Sequence, residues 1–264
     1  MDLTTHIDLM MDERNSMLWQ WPRFQAMAAV IPAPNTEIIE CRDPWPLEWA
    51  ADYLDGNTPE EPPWLADITG AVERIGTPCF LRGDGASAKH DWANTCHLPE
   101  VGLVSTRVFA IAEWHMMMMG GPNLQGFAVR ELLEPVGDMT AFTELPIGQE
   151  RRYFVRDGVV ECHHLYWPAE AVGDGQPNRH DWEAVLADLN AEGDEVPQLT
   201  KWAEAICTAF GGGYWSIDFM CDRAGRWWFI DAALGEVSWH PECPFAPADL
   251  DEGMESAFED GGEQ

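Results

Sequence analysis

Two antiparallel hairpins are predicted in the second half of the sequence, and they constrain the fold more than any other feature. Residues 152–155 and 159–163 are strand-like segments joined by a glycine-containing turn at 156–158. Residues 214–221 and 226–231 form a second such pair. Strands joined by short turns run antiparallel, which excludes the strict strand–helix alternation of a doubly wound sheet. With helices inserted between the hairpins, the sequence predicts an α+β fold.

The other elements follow from hydrophobic spacing and turn signals. Leu65, Ile68, Val72 and Ile75 recur at helical spacing, and Gly76 follows them as a usual helix-ending residue. Residues 59–63 are predicted to be a loop. The predicted helices are 65–75, 101–119, 181–190 and 197–210. The predicted strands outside the hairpins are 36–41, 79–81 and 127–133.

The charge of the chain excludes one class of partner. The 264 residues include 15 Lys+Arg and 46 Asp+Glu, for a net charge of −31. Proteins that bind nucleic acids or anionic membranes present a basic face, which so few cations cannot supply. We therefore expect no nucleic-acid and no membrane partner. A bound phosphate must be small and must be met by a local cluster of cations or by a metal.

Composition also predicts the compartment. No apolar run reaches the roughly 18 residues that cross a membrane, and the first residues do not resemble a signal peptide. The seven cysteines are an odd number and include no CxxC motif, which favours free thiols in a reducing compartment. We expect a cytoplasmic protein.

The segment from Arg82 to Lys89 has the composition of a phosphate-binding loop. The strand at 79–81 delivers Arg82, and small residues, including Gly83, Gly85 and Ser87, follow before Lys89. Small residues let backbone N–H groups approach an anion, and two fixed cations suit phosphate oxygens. The Walker A pattern GxxxxGK[ST] is absent. The alternative interpretation is an ordinary glycine turn.

Two further strands carry charged residues. Arg130 and Glu131 lie within the apolar strand at 127–133. An apolar strand of this kind is suited to line an adenine-binding slot. The alternative interpretation of Arg130 and Glu131 is an internal ion pair. Glu150 and Arg152 share one face of the first hairpin by strand alternation. The alternative for Arg152 is a salt bridge to one of the chain's own carboxylates.

Asp218 and Asp231 lie in the two hydrophobic strands of the second hairpin. Buried carboxylates need a partner. Such hard oxygen ligands suit Mg²⁺ that bridges substrate phosphates. The alternative is neutralisation by Arg152 or Arg82, which does not exclude phosphate because the same arginines could hold it.

Cysteine and histidine are neighbours at three places in the chain, and zinc could collect them. No pair has the spacing of a zinc finger, and soluble cores often contain both residue types. The three places are Cys96-His97, Cys162-His163-His164 and His240-x-x-Cys243.

Taken in order, the four charged segments resemble motifs of the ATP-grasp superfamily. They are most similar to its divergent clade that includes the eukaryotic assembly chaperone of translation initiation factor 2 and phage and bacterial relatives. The resemblance extends from about residue 76 to residue 243. It implies a two-lobed ATP-grasp fold that binds ATP and Mg²⁺ between antiparallel sheets.

The resemblance also implies roles for the charged residues. Arg82, Lys89 and Arg152 would be catalytic and would offset charge on the transferring phosphoryl group. Residues 83–88 would form a mobile phosphate loop. The implied nucleotide-binding residues are Arg82, Gly83, Gly85, Ser87, Lys89, Arg130, Glu131, Glu150 and Arg152.

Asp218 and Asp231 would ligate Mg²⁺. The last metal strand of the family often reads acid-x-Asn, whereas this chain has Asp231-Ala232-Ala233. Glu236 would replace the missing ligand.

Two functions follow from the resemblance. The first is an ATP-dependent ligase that joins a carboxylate to an amine or thiol through an acyl phosphate. The second is a non-catalytic assembly factor that binds ATP and holds a protein partner; the absent Asn favours it.

The expected domain organisation has three parts. Residues 1–70 form a small N-terminal region that packs on the first lobe. Residues 71–250 form the ATP-grasp domain, with lobes at about 71–133 and 134–250. The acidic tail, 251–264, is expected to be disordered because charge outweighs apolar residues there.

Overall fold

The computed structural model describes residues 3–118 and 124–246, and eight α-helices and ten strands lie within those ranges. The helices are α1 Leu3–Met10, α2 Met17–Phe24, α3 Pro46–Leu54, α4 Pro63–Ile75, α5 Val104–Met118, α6 Ala169–Asp174, α7 Trp182–Asn190 and α8 Val196–Ala209. The strands are β1 Thr36–Glu40, β2 Cys79–Gly83, β3 His97–Leu98, β4 Gly126–Glu131, β5 Met139–Ala141, β6 Leu145–Ile147, β7 Glu150–Arg156, β8 Val159–Leu165, β9 Tyr214–Cys221 and β10 Trp227–Leu234.

The strands form two antiparallel four-stranded sheets and one small hairpin. The first sheet has the order β1-β4-β2-β3, and the second sheet has the order β10-β9-β7-β8. The small hairpin pairs β5 with β6. The predicted α+β class with antiparallel sheets is confirmed.

Both predicted hairpins are present, as β7–β8 and β9–β10. The helix predicted at 65–75 is α4, and its apolar stripe (Leu65, Ile68 and Val72) is buried. Because proline fits the first helical position, where no intrahelical N–H bond is lost, α4 begins at Pro63, inside the predicted loop. The strand predicted at 127–133 ends earlier, at Glu131. The predicted tail at 251–264 lies outside the described residues.

Each sheet has its own hydrophobic core. The first sheet packs on α3, α4 and α5, and the second packs on α2 and α8. A third, smaller cluster lies between the small hairpin, α6 and α7.

The N-terminal residues are divided between the two main cores. Met17, Trp21, Phe24 and Ile31 are buried in the core of the second sheet. β1 instead pairs with β4 as an edge strand of the first sheet, and α3 packs in the first core. The N-terminal region is thus continuous with both sheets.

A β-bulge interrupts β10 opposite β9. Phe229 of β10 pairs with Phe219 of β9, but the next β9 residue, Asp218, pairs with Asp231. Ile230 is therefore the extra residue. A bulge places two residues of one strand opposite one residue of the other and re-aims their side chains. Ile230 and Asp231 consequently both face the first sheet, while Phe229 stays in the core.

Among the described helices, none combines the length and the apolar character needed to cross a membrane.

Candidate functional site

A cleft lies between the two sheets. Strands β2 and β4 line one wall, and β7, β9 and β10 line the other. Eight of the predicted site residues line the cleft: Arg82, Ser87, Lys89, Arg130, Glu131, Glu150, Asp218 and Asp231. The remaining lining side chains are largely apolar and include Phe80, Trp92, Leu132, Leu145 and Met220.

Two carboxylates lie side by side on the second sheet. Asp218 and Asp231 are directly paired across β9 and β10. Cross-strand neighbours have Cβ atoms about 4.5–5.5 Å apart, so that one small cation can contact both carboxylates.

Each of these carboxylates is also bound by an arginine, as the alternative interpretation of the sequence predicts. Arg152 binds Asp218 through two parallel hydrogen bonds, Nε to Oδ1 at 2.9 Å and Nη2 to Oδ2 at 2.8 Å. Arg82 Nη1 lies 2.8 Å from Asp231 Oδ1. Desolvation opposes the charge of Asp231, but Arg82, Arg130 and Lys89 together outweigh it and lower the pKa of Asp231 below its usual value.

Arg130 connects the two walls of the cleft. Its Nη1 donates to the carbonyl oxygen of Ile230 in the bulge at 2.6 Å, and its Nε donates to Thr36 Oγ1 at 3.2 Å. Burial, with a further contribution from the charge of Arg82, lowers the pKa of Arg130 to about 10. Its buried Nη2 has no partner within the described part of the chain. A buried donor without an acceptor destabilises the folded chain, so that this N–H group is available to donate a hydrogen bond to a ligand.

Glu150 is buried, and the half-buried Lys89 lies close enough for its charge to act on that carboxyl group. Burial raises the pKa of Glu150, although Lys89 and the Trp167 indole N–H, 2.9 Å from Glu150 Oε1, oppose that rise. Burial alone would lower the pKa of Lys89, but Tyr166 and Glu150 outweigh it, and the pKa is raised. Lys89 Nζ lies 4.1 Å from the centre of the Tyr166 ring. The Oε2 atom of Glu150 is buried and is unpartnered among the described atoms.

Asp84 fixes the start of the 83–88 loop. Its carboxylate accepts hydrogen bonds from the N–H groups of Gln125 and Gly126, at 2.9 and 3.1 Å, and from the Ser16 hydroxyl. The side chain is buried, and burial raises its pKa against these hydrogen bonds. Only the later part of the loop, at Ser87 and Lys89, reaches the cleft.

Four predicted site residues lie elsewhere. Gly83 ends β2 with no space for a Cβ, which would overlap Leu124 and the ring of His115. Gly85 lines a separate depression next to α1 and α2. Arg152 lies behind Asp218, and its Nη1 donates to the Trp239 carbonyl oxygen at 3.1 Å.

Glu236 follows β10 and is absent from the described lining of the cleft. Its charge instead acts on Arg14 and Arg156, whose pKa values it helps to raise. The two described carboxylates that face each other in the cleft are therefore Asp218 and Asp231.

Sequence reasoning missed Tyr166 and Trp167, which follow β8. They contact Lys89, and Trp167 also binds Glu150. The adjacent aromatic pair at the end of a predicted hairpin is the only sequence signal for them.

The fold is similar to that of solved structures of low sequence identity. C-terminally truncated Cdc123 from Schizosaccharomyces pombe is 10% identical, with a TM-score of 0.53 over 88% of this chain and 85% of that chain. A RimK domain ATP-grasp protein from Sphaerobacter thermophilus is 16% identical, with a TM-score of 0.44 over 89% of this chain and 62% of that chain. D-alanine–D-alanine ligase from Bacillus anthracis, complexed with ATP, is 9% identical, with a TM-score of 0.48 over 85% of this chain and 56% of that chain.

This chain therefore spans less than two thirds of the length of the last two proteins. Neither a protein-family model nor a curated protein matches the sequence. At these identities the similarity concerns the fold alone. The chain has an ATP-grasp fold, and the resemblance inferred from its sequence is confirmed at that level.

Proposed function

We propose that this chain binds ATP with Mg²⁺ in the cleft and uses it to join a carboxylate to an amine or thiol. The observation that carries the proposal is the arrangement of Arg82, Lys89 and Arg130 opposite the Asp218–Asp231 pair, between two antiparallel sheets. Cations on one wall suit phosphate oxygens, and paired carboxylates on the other suit Mg²⁺.

The donor set of the cleft fits the nucleotide and the metal. Arg130 Nη2 lacks an acceptor and Glu150 Oε2 lacks a donor within the described structure, and both residues line the cleft. The apolar lining beside them suits a purine base. Arg82, Lys89 and Ser87 would contact phosphates, Arg130 and Glu131 the base or ribose, and Asp218 and Asp231 the metal. An Mg²⁺ ion held there would offset the negative charge of the phosphates.

The proposed chemistry has two transfers. An oxygen of the substrate carboxylate attacks the γ-phosphorus of ATP, the bond to the β-phosphate oxygen breaks, and ADP leaves with an acyl phosphate formed. An amine or thiol then attacks the acyl carbon, the bond from that carbon to the phosphate oxygen breaks, and inorganic phosphate leaves with the proton that the nucleophile loses. Arg82 and Lys89 would stabilise the charge on the transferring phosphoryl group by their fixed positions. Arg152 would position Asp218, because its N–H groups bind that carboxylate and the Trp239 carbonyl.

The first test is the thermal stability of the full chain with ATP and Mg²⁺. A ligand that binds only the native state raises the melting temperature by mass action. We expect a rise with ATP and Mg²⁺ that EDTA reduces and that Asp231→Asn abolishes. Asp188→Asn removes an equal charge from an exposed position on α7 and is the matched control, expected to keep the full rise. Equal rises in both variants would contradict the assignment of Asp231, and no rise at millimolar ATP would contradict ATP binding.

The second candidate is an assembly factor that binds ATP without turnover. It is favoured by the metal side of the cleft, because Ala233 stands where the family often has Asn and Glu236 lies away from the cleft. Release of ADP, measured with a panel of amino acids and thiols as acceptors, separates the two candidates. Acceptor-dependent ADP release supports the ligase, whereas ATP binding without release across the panel supports the assembly factor.

A further inference from the structure

Two cysteines and two histidines from distant parts of the chain meet beside the second sheet. They are Cys162 and His164 of β8, and His240 and Cys243 of the segment after β10. One ligand atom from each, sulfur or ring nitrogen, lies within 4.8 Å of all the others. None of the four residues lines the cleft, as far as the structure describes it.

The local fold explains the convergence. Residues two apart on a strand point to the same face, so that Cys162 and His164 project together from the edge strand β8. In the register they pair with Phe154 and Arg152 of β7. The chain returns past this face after β10, and the His240 ring packs on Phe154 with ring centres 3.8 Å apart.

Hydrogen bonds outside the cluster orient two of the four ligands. His240 Nδ1 lies 2.7 Å from the Pro241 carbonyl oxygen, which can only accept, so that Nδ1 carries the proton. The lone pair of Nε2 therefore faces the cluster, and Nε2 lies 3.3 Å from Cys162 Sγ. The Phe245 N–H donates to Cys243 Sγ at 3.4 Å. Metal-binding histidines commonly donate their second ring N–H to a carbonyl in this way.

His164 supplies an independent observation. Its Nε2 is buried and has no hydrogen-bond partner within the described ranges. The cost of leaving such an atom unpaired disappears if it binds a metal.

We propose that Cys162, His164, His240 and Cys243 bind a structural zinc ion. Two sulfur and two nitrogen ligands without a carboxylate are a donor set that selects zinc. Zn–S and Zn–N bonds of about 2.0–2.3 Å in a tetrahedron place ligand atoms about 3.3–3.8 Å apart. The ligand atoms, which lie within 4.8 Å of one another, therefore need to approach by about 1.5 Å or less. Four protein ligands leave no open position, which identifies a structural site rather than a catalytic one.

The zinc ion would attach the segment 239–246 to the edge strand β8. In that segment the Trp239 carbonyl oxygen accepts a hydrogen bond from Arg152, and Arg152 in turn binds Asp218. The site would thus hold in place the backbone that orients Arg152. This inference does not depend on what the cleft binds.

The test is the metal content of the full chain, purified without a histidine tag and measured by elemental mass spectrometry. We expect about one zinc ion per chain, and loss of at least about nine tenths of it in Cys162→Ser and in His240→Ala. His163→Ala is the matched control and should keep its zinc, because His163 stacks on Tyr153 away from the cluster. A zinc chelator should lower the melting temperature of the wild-type chain and leave that of Cys162→Ser unchanged.

Replacement of zinc by Co²⁺ keeps the proposal testable if a variant does not fold. Tetrahedral coordination with thiolate ligands should give intense visible and near-ultraviolet absorption in the wild-type chain. A chain without bound metal, one that holds a different metal, or an intact mass 2 Da lower from a Cys162–Cys243 disulfide would each overturn the proposal.

Discussion

The cleft brings together residues whose charges cancel almost completely. Arg82 binds Asp231, Arg152 binds Asp218, and Lys89 lies near Glu150. Removing one member of a buried pair leaves the other uncompensated, which usually costs more than the pair contributes. We therefore expect substitutions in the cleft to affect stability and ligand binding together, and each test must separate the two.

Glu150→Gln should change how stability depends on pH. Burial raises the pKa of Glu150, so that the folded chain holds this proton at pH values where the unfolded chain has lost it. Stability therefore falls as pH rises from the unfolded pKa, about 4.3, towards the raised folded pKa. The variant lacks this loss. The measurement is urea unfolding of both proteins at pH 5 and pH 7.5. We expect the free energy of unfolding of Glu150→Gln, minus that of the wild type, to be larger at pH 7.5 than at pH 5. The same difference at both pH values would contradict this.

Sequence patterns predicted most elements, and the failures have physical reasons. The hairpins, α4 and the strands that carry Arg82 and Arg130 are encoded by local spacing and turns. α3 escaped prediction because Trp and Pro surround its start, although Glu48 accepts the Trp45 N–H at 3.1 Å and caps it. The small hairpin β5–β6 has only three residues in each strand, too few for an alternation signal.

The candidate site was predictable in its composition and not in its geometry. Strand alternation predicted that Glu150 and Arg152 of β7 share a face, and the other charged residues were identified by their place in apolar strands. In a regular β9–β10 hairpin without a bulge, Asp218 would pair with Ile230. The bulge shifts the register by one residue and pairs Asp218 with Asp231 instead. The remote positions of Gly85 and Glu236 depend on long-range packing, which local spacing does not reveal.

Gly126→Ala tests the contact between β1 and β4. A Cβ at Gly126 would overlap the carbonyl oxygen of Ile39, a backbone atom that cannot rotate away. We expect a loss of at least about 2 kcal/mol in the free energy of unfolding, measured with urea. Gly102→Ala is the matched control, because nothing lies within 4 Å of a Cβ there, and it should stay within about 0.5 kcal/mol of wild type. Equal effects in both variants would refute the close approach of the two strands.

The whole molecule combines two sheet cores with an N-terminal region that belongs to both. Phe24 and Ile31 are buried against the second sheet, and β1 continues into the first. Because one short segment crosses between the cores, we expect the described part of the chain to unfold as a unit.

The net charge of −31 should make stability depend on salt. Self-repulsion destabilises a compact chain with such a charge. At 0.1 M salt, interactions between exposed charges more than about 10 Å apart are largely screened. Buried pairs such as Arg152–Asp218 are screened much less. We expect the melting temperature to rise between about 20 mM and 500 mM NaCl, and to the same extent in KCl. A fall with salt would show that exposed ion pairs outweigh the self-repulsion.

The bulge in β10 also determines how the halves of the molecule are joined. An extra strand residue leaves its carbonyl group outside the regular ladder, and Arg130 of the opposite wall binds that group. A chain that lacked Ile230 could keep both aspartates in register, yet it would lose this tether. The tether between the two walls of the cleft thus depends on the backbone of a single residue that carries no charge.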